Sequence, residues 1–242
     1  MTGGSRGIGL SISQLFAQKN ARVVILYKSN HERADQALDS LEGDGHMKIS
    51  CDISDPNAIS DTIDKIWKEF GQLDVLVNNA GIGFHHPADT VDYATWQEGW
   101  SRILQTNLVG QANMCYCSAQ YMIRQKSGKI INVSSRGAFR GEPDQPAYGA
   151  SKAGLNSLTQ SLAHKLSQYN IFVGAVAPGF VETEMAFDRL KGEGGDYIRS
   201  QSPMNRVAHP DEVAEAVVLM AASNIWMTGS IFDVNGASYF RT

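Results

Sequence analysis

Tyr148 and Lys152 stand four residues apart, as Y-x-x-x-K. On a helix that spacing puts both side chains on one face. A free phenol titrates near pH 10, too high to exchange a proton readily at neutral pH. A neighbouring ammonium favours the phenolate and lowers that value, as a general acid working near neutrality requires. Alone, the pair matches many surface helices. Its weight comes from Ser134 and Ser135 at the end of an apolar run thirteen residues before Tyr148, and from Asn107 in a helix-like stretch. Leu76-Val77-Asn78-Asn79-Ala80-Gly81 and Pro178-Gly179, with Thr183 soon after, follow two further apolar runs.

A second constellation opens the chain. Thr2-Gly3-Gly4-Ser5-Arg6-Gly7-Ile8-Gly9 reads T-G-x-x-x-G-x-G and leads into an apolar-periodic segment. Glycines let the backbone approach a pyrophosphate, and a helix N-terminus offers N–H groups and a positive dipole end. In dinucleotide folds, an acidic residue ending the second strand favours NAD, and a basic one accommodates the 2′-phosphate of NADP. No carboxylate ends the run at 22–27; Lys28 follows it and Arg6 sits in the glycine loop. The expected cofactor is therefore NADP(H). One feature departs from the pattern. The motif should follow a buried strand, and only Met1 precedes it. We expect a first strand that is missing or truncated because the sequence starts about six to eight residues late; were the sequence whole, the sheet would have a central gap and a loosely anchored glycine loop.

The elements that must position these residues alternate regularly. Apolar, β-branched runs at 22–27, 47–51, 73–77, 129–133, 171–175 and 230–234 read as buried strands. Helix-like stretches at 9–18, 32–41, 57–70, 148–167 and 210–222 lie between them. The rhythm predicts an α/β fold, a Rossmann-type doubly wound parallel sheet, in one domain spanning 1–242. The segments 81–94 and 179–197 break the periodicity and follow strand ends, where such sheets bind ligands. They are the expected substrate mouth, with His85, His86, Arg136, Phe139 and Arg140 as further pocket or rim residues.

Composition narrows the function classes. The 21 Lys and Arg are scattered against 25 Asp and Glu, a net charge of −4, which disfavours nucleic-acid and anionic-membrane surfaces. Cys51, Cys115 and Cys117 form neither a disulfide framework nor metal-ligand spacing, so no metal is expected. No basic-then-apolar leader opens the sequence, and no apolar run reaches membrane-spanning length, so a cytoplasmic protein is expected.

The combined motifs resemble the short-chain dehydrogenase/reductase family over essentially the whole chain. The resemblance implies Tyr148 as catalytic acid/base and Lys152 as ligand of the nicotinamide ribose. It implies Ser135 as the residue orienting the carbonyl, with Ser134 as runner-up, and Asn107 as holder of a relay water. It assigns Gly3, Ser5, Arg6, Ile8 and Gly9 to the phosphate loop and Asp52 and Ile53 to the adenine. Asn79, Ala80 and Gly81 fall against the adenosine ribose, and Pro178, Gly179 and Thr183 against the nicotinamide. The segments 128–135, 145–154, 177–185 and 203–236 resemble 3-oxoacyl-acyl-carrier-protein reductases. That branch implies an acyl-thioester substrate, an acyl carrier protein docking on Arg124, Lys126 and Lys129, and a homotetramer. Tyr169 stands where that docking site often has a basic residue. Other small ketones, sugars or steroids remain alternative substrates, and an NADP(H)-binding redox sensor without turnover is the alternative of another class.

Overall fold

The structure, a computed structural model, describes residues 1–241. Six parallel strands alternate with helices. The strands are β1 (Val24–Tyr27), β2 (Met47–Ser50), β3 (Val75–Asn78), β4 (Gly128–Val133), β5 (Ile171–Pro178) and β6 (Ile231–Val234). The helices are α1 (Gly7–Gln18), α2 (His31–Asp39), α3 (Pro56–Phe70), α4 (Tyr93–Leu104), α5 (Gln111–Gln125), α6 (Gly137–Arg140), α7 (Pro146–Leu166), α8 (Gly192–Ser200) and α9 (Pro210–Ala222).

The central strands are apolar throughout because helices cover both sheet faces. Every residue of β5 is buried. On one face, Ile12 of α1 and Val213, Val217 and Met220 of α9 pack against Val77, Ile131 and Val176. On the other, Ile59, Ile63 and Ile66 of α3, Met114 and Met122 of α5 and Ala163 of α7 pack against Leu76, Ile130 and Val173. Local chemistry sets the helix ends. Asp55 caps α3 by accepting from Asn57 N, Pro56 occupies its first turn, and Gly71 closes it at φ 63°. Asn30 and Asp92 cap α2 and α4 in the same way.

The sheet is an α/β doubly wound sheet in two pieces, β2-β1 and β3-β4-β5-β6. Between β1 and β3, where the motif calls for a strand, lie Met1 and Thr2. Leu26 N donates to Met1 O at 2.8 Å, and Thr2 N donates to Val77 O at 3.1 Å. Thr2 and Leu26 form a single parallel bridge rather than a ladder. The expectation of a loosely anchored glycine loop is corrected here. The buried Thr2 hydroxyl accepts from Asn79 N at 2.9 Å and Ala80 N at 3.0 Å, which fastens the loop to the end of β3.

Two other differences matter for the site. β5 runs through Pro178, three residues beyond the expected run, so Pro178 is part of the sheet. The segment expected to be loop at 179–197 contains a 3₁₀ turn at Asp188–Leu190 and the start of α8. Among the described residues, no helix is long and apolar enough to cross a membrane. Among them, no group of three or more His, Cys, Asp or Glu is placed to hold a metal ion.

Candidate active site

A cleft of about 870 Å³ runs along the carboxyl ends of the strands. It is lined by the glycine loop, the ends of β1 to β5, and the segment after β5. This is where an open α/β sheet binds its ligand.

The floor is backbone. Gly3 and Gly7 have φ of 61° and 49°, a conformation side chains disfavour. A Cβ on Gly9 would lie 2.1 Å from Gly3 O, so only glycine fits there. The Asn79 amide donates to Thr2 O and Gly3 O at 3.1 and 3.2 Å, holding the loop's curvature from below. Ser5, Arg6 and Ile8 line the cleft above this floor. The first turn of α1 has no acidic residue and no side-chain cap, so its N–H groups stay open to an anion.

The end of the cleft beside β1 and β2 is cationic but not unpaired. Lys28 Nζ lies 2.7 Å from Asp52. Partial burial works against the Asp52 carboxylate, but hydrogen bonds from Lys28 and Ser54 prevail and hold its pKa below the usual range. Arg6 and Arg33 both reach Glu184, at 3.4 and 2.6 Å. The sequence pattern of two cations without a carboxylate is thus corrected: each finds one in space. Ile53 lines the same end and is buried.

At the other end, Ser135, Tyr148 and Lys152 come together. β4 delivers the serines and α7 delivers the other two. Ser134 turns inward, donating to Lys152 O at 3.4 Å. Ser135 faces the cleft, accepts from Gly137 N at 3.0 Å and lies close enough to the Tyr148 phenol to influence its titration. Lys152 is buried, and its Nζ donates to Val133 O at 2.7 Å. Burial lowers its pKa to about 8. The phenol behaves differently from the helix-spacing expectation. Its pKa is raised: burial dominates, Glu142 adds to it, and the neighbouring Ser135 hydroxyl and Arg189 pull the other way. Lys152 stands 5.8 Å from the ring centroid, with its amine committed to the strand backbone.

Asn107 is fully buried in a π-helical turn, Gln105–Gly110, that joins α4 to α5. Such turns are rare and recur at functional sites. Its amide exchanges two 2.9 Å hydrogen bonds with the backbone of Ile82. The point a Cβ on Gly81 would occupy is 3.4 Å from Asn107 Oδ1 and 3.7 Å from Lys152 Nζ, so Gly81 brings that backbone between them. Ala80, Gly81, Pro178, Gly179 and Thr183 all line the cleft.

The wall around Ser135 and Tyr148 is formed by Phe84, His85, Glu142, Gln145, Phe180 and Arg189. Arg136 also borders the cleft, but its guanidinium is buried on Ser238, Gln201 and the Phe180 ring. His86 is not a pocket residue. It is fully buried, with its two ring nitrogens against Phe84 O and Ala147 N, and it ties the loop after β3 to the start of α7. Phe139 and Arg140 also lie outside the cleft lining. Sequence spacing does not reveal Arg33 and Glu184 as a pair, because only the fold brings them together. Glu142 is hidden in the same way by the tight turn before α7.

The model of the short chain dehydrogenase family matches residues 1–194. The chain belongs to that family. Short-chain dehydrogenases are oxidoreductases that bind a nicotinamide cofactor and interconvert ketones and alcohols. Among its relatives is the 3-oxoacyl-acyl-carrier-protein reductase FabG of Chlamydia muridarum, 36% identical over 98% of this chain and 94% of its own. Carbonyl reductase family member 4 of Xenopus laevis is 36% identical over 97% and 94%. The FabG of Thermotoga maritima is 34% identical over 98% and 95%. The cleft of this short-chain dehydrogenase fits a dinucleotide. The Gly3–Gly9 contact leaves no room for side chains where a pyrophosphate would lie, the α1 N-terminus is uncapped, and two guanidinium groups stand at the β1 end.

Proposed function

We propose that this short-chain dehydrogenase uses NADP(H) to interconvert a ketone and a secondary alcohol, with 3-oxoacyl thioesters as substrates. The observation supporting it is that Ser135, Tyr148 and Lys152 line the same cleft as the glycine loop. The cofactor supplies the hydride in reduction and accepts it in oxidation. The chain's own residues manage the oxygen. Ser135 and the Tyr148 phenol would each offer an O–H donor to a carbonyl oxygen bound beside them, where negative charge develops, and donors fixed in advance lower that barrier. Tyr148 then gives its proton to the oxygen, or takes one in the reverse direction. A phenol with a raised pKa keeps its proton at neutral pH but gives it up less readily, so the transfer calls for a nearby cation.

Lys152 would hold the nicotinamide ribose once its amine leaves Val133 O, and its charge would then favour the phenolate. Asn107 would hold a relay water on its line to Lys152. The backbone of Gly3, Ser5, Arg6, Ile8 and Gly9 would cradle the pyrophosphate. Lys28, Asp52 and Ile53 would hold the adenosine, with Asn79, Ala80 and Gly81 along its ribose. Pro178, Gly179 and Thr183 would pack on the nicotinamide.

NADP(H) is favoured by the cations at the β1 end. The thioester substrate comes from the names of the FabG relatives. The name of the carbonyl reductase relative, together with polar Glu142, Gln145 and His85 beside Tyr148, favours a second reading, reduction of a small polar ketone. An acyl carrier protein would find less of a docking patch than the sequence suggests, because Lys129 Nζ turns inward to Ser223 O. We further propose a single domain over 1–242, a cytoplasmic location and a homotetramer. Exposed Val109, Tyr116, Leu219 and Trp226 supply apolar surface for such contacts.

The test follows NADPH oxidation with an acetoacetyl thioester beside a fluorescence titration of NADPH. Turnover that disappears in Tyr148→Phe while NADPH still binds is expected. Binding with no turnover on any ketone overturns the enzymatic reading in favour of a redox sensor. Turnover only with small polar ketones replaces the thioester substrate.

A further inference from the structure

Glu184 lies in the segment after β5, directly beyond Thr183. That segment is tied down at its base, where Glu182 N donates to Ala208 O at 2.8 Å and Ala208 N donates to Phe180 O at 3.0 Å. It lies across the cleft onto the glycine loop: the Thr183 methyl is 3.3 Å from the point a Cβ on Gly7 would occupy. From there Glu184 Oε2 accepts from Arg6 Nη1 at 3.4 Å and from Arg33 Nη1 at 2.6 Å. One carboxylate oxygen therefore bridges the glycine loop and the first turn of α2. The two guanidinium groups hold its pKa low; each borders the cleft.

The position of Arg33 identifies the ligand these cations face. It follows Asn30, the cap of α2, just past the end of β1 and beside Lys28 and Ser29. The end of the second strand of a dinucleotide fold is where the adenosine ribose lies, and an arginine nearby accommodates a 2′-phosphate there. Lys28 beside them is held 2.7 Å from Asp52, and Arg6 and Arg33 are the guanidinium groups that border the cleft at this end. A guanidinium fork matches phosphate oxygens as well as it matches a carboxylate.

We propose that Glu184 is a cofactor-discriminating residue: its carboxylate and the ribose 2′-phosphate compete for Arg6 and Arg33. The proposal rests on the NADP(H) reading above and adds a residue and a sign to it. NADPH binds by displacing Glu184, and so binds more weakly than the two arginines alone would allow. NADH carries only a hydroxyl at that position and leaves the clasp closed. Thr183, the neighbour of Glu184, is thereby released from the glycine loop by one cofactor and not by the other.

The experiment is equilibrium binding of NADPH, NADH and 2′,5′-ADP to the unaltered protein, Glu184→Gln and Arg33→Gln, by fluorescence and calorimetry at low salt. Exposed ion pairs are individually weak, so Glu184→Gln is expected to tighten NADPH and 2′,5′-ADP by about three- to tenfold. NADH should stay within about twofold, the level expected when no charge pair is exchanged. Arg33→Gln should weaken NADPH and 2′,5′-ADP and leave NADH alone. An equal change for NADPH and NADH in Glu184→Gln overturns the proposal, because Glu184 then acts on the loop and not on the phosphate. Loss of NADH affinity in that variant also overturns it, making the carboxylate a ligand of the ribose hydroxyl. Preference of the unaltered protein for NADH is a different failure, one that overturns the NADP(H) reading itself.

Discussion

Replacing Thr2 by Val tests how the glycine loop is held. Thr2 is fully buried, and its hydroxyl accepts from Asn79 N at 2.9 Å and Ala80 N at 3.0 Å while donating to Val77 O at 3.4 Å. Valine keeps the shape and removes every one of these bonds. Two backbone donors then lose their acceptor, at about 1–3 kcal/mol each when buried. Both residues are half-buried, which puts the sum near the low end, about 2–3 kcal/mol. For a chain of this length that lowers the melting temperature by roughly 5–10 °C. Thr2→Ser loses one methyl group, about 0.8 kcal/mol, and keeps the acceptor. The assay is thermal unfolding of the three proteins at one concentration, followed by NADPH titration. We expect the order parent, Ser variant, Val variant, with the Val variant also weakest for NADPH. A Val variant melting within about 2 °C of the parent would refute the reasoning, since it would mean that water or a shifted backbone satisfies both donors equally well.

Gly9→Ala should abolish dinucleotide binding while the protein stays folded. The new Cβ sits 2.1 Å from Gly3 O and 2.6 Å from the Asn79 amide, so the loop must open; circular dichroism and an NADPH titration separate the two effects. Lys152→Met should alter the pH dependence of stability. Burial takes the lysine from 10.5 to about 8, so between about pH 8 and pH 10 the unfolded chain holds more protons, and this group's contribution to stability rises with pH. Subtracting the Met variant's melting curve from the parent's should leave a slope of that sign, and a flat difference would mean that Lys152 is solvated. Ser118→Ala should stabilise by about 1 kcal/mol, read by urea denaturation, because the Ser118 hydroxyl is buried and has no partner among the described residues.

The glycine loop, the strand ends and α7 were legible because each is a local pattern. Spacing alone places Tyr148 and Lys152 on one helix face, and apolar runs alone place Asn79 and Pro178 at strand ends. The electrostatics were not legible. Lys28 and Arg6 lack local carboxylates, and their partners arrive from 24 and 178 residues away in sequence. The same is true of the phenol. The i, i+4 rule gives the separation of Tyr148 and Lys152 but not the burial that raises one pKa and lowers the other. His86 misled for a related reason. A histidine in a polar loop reads as exposed, and only packing against Trp96 and the start of α7 makes it a core residue.

The π turn at Gln105–Gly110 has a consequence for how this chain tolerates length changes. It spends one residue more than an α-helical turn, and one residue is about 100° of rotation. α4 packs against α7, whereas α5 packs against α3, β3 and β4 as well as α7. The extra residue is the offset that lets both faces meet their neighbours at once. Deleting one residue between 105 and 110 would make the helix regular and straight. It would also swing Met114, Cys115 and Met122 out of the core, or else turn Ile103 out of its own buried place. A shortening that improves the local helix therefore breaks the global one, so natural relatives should keep the length of this junction even where they change its residues.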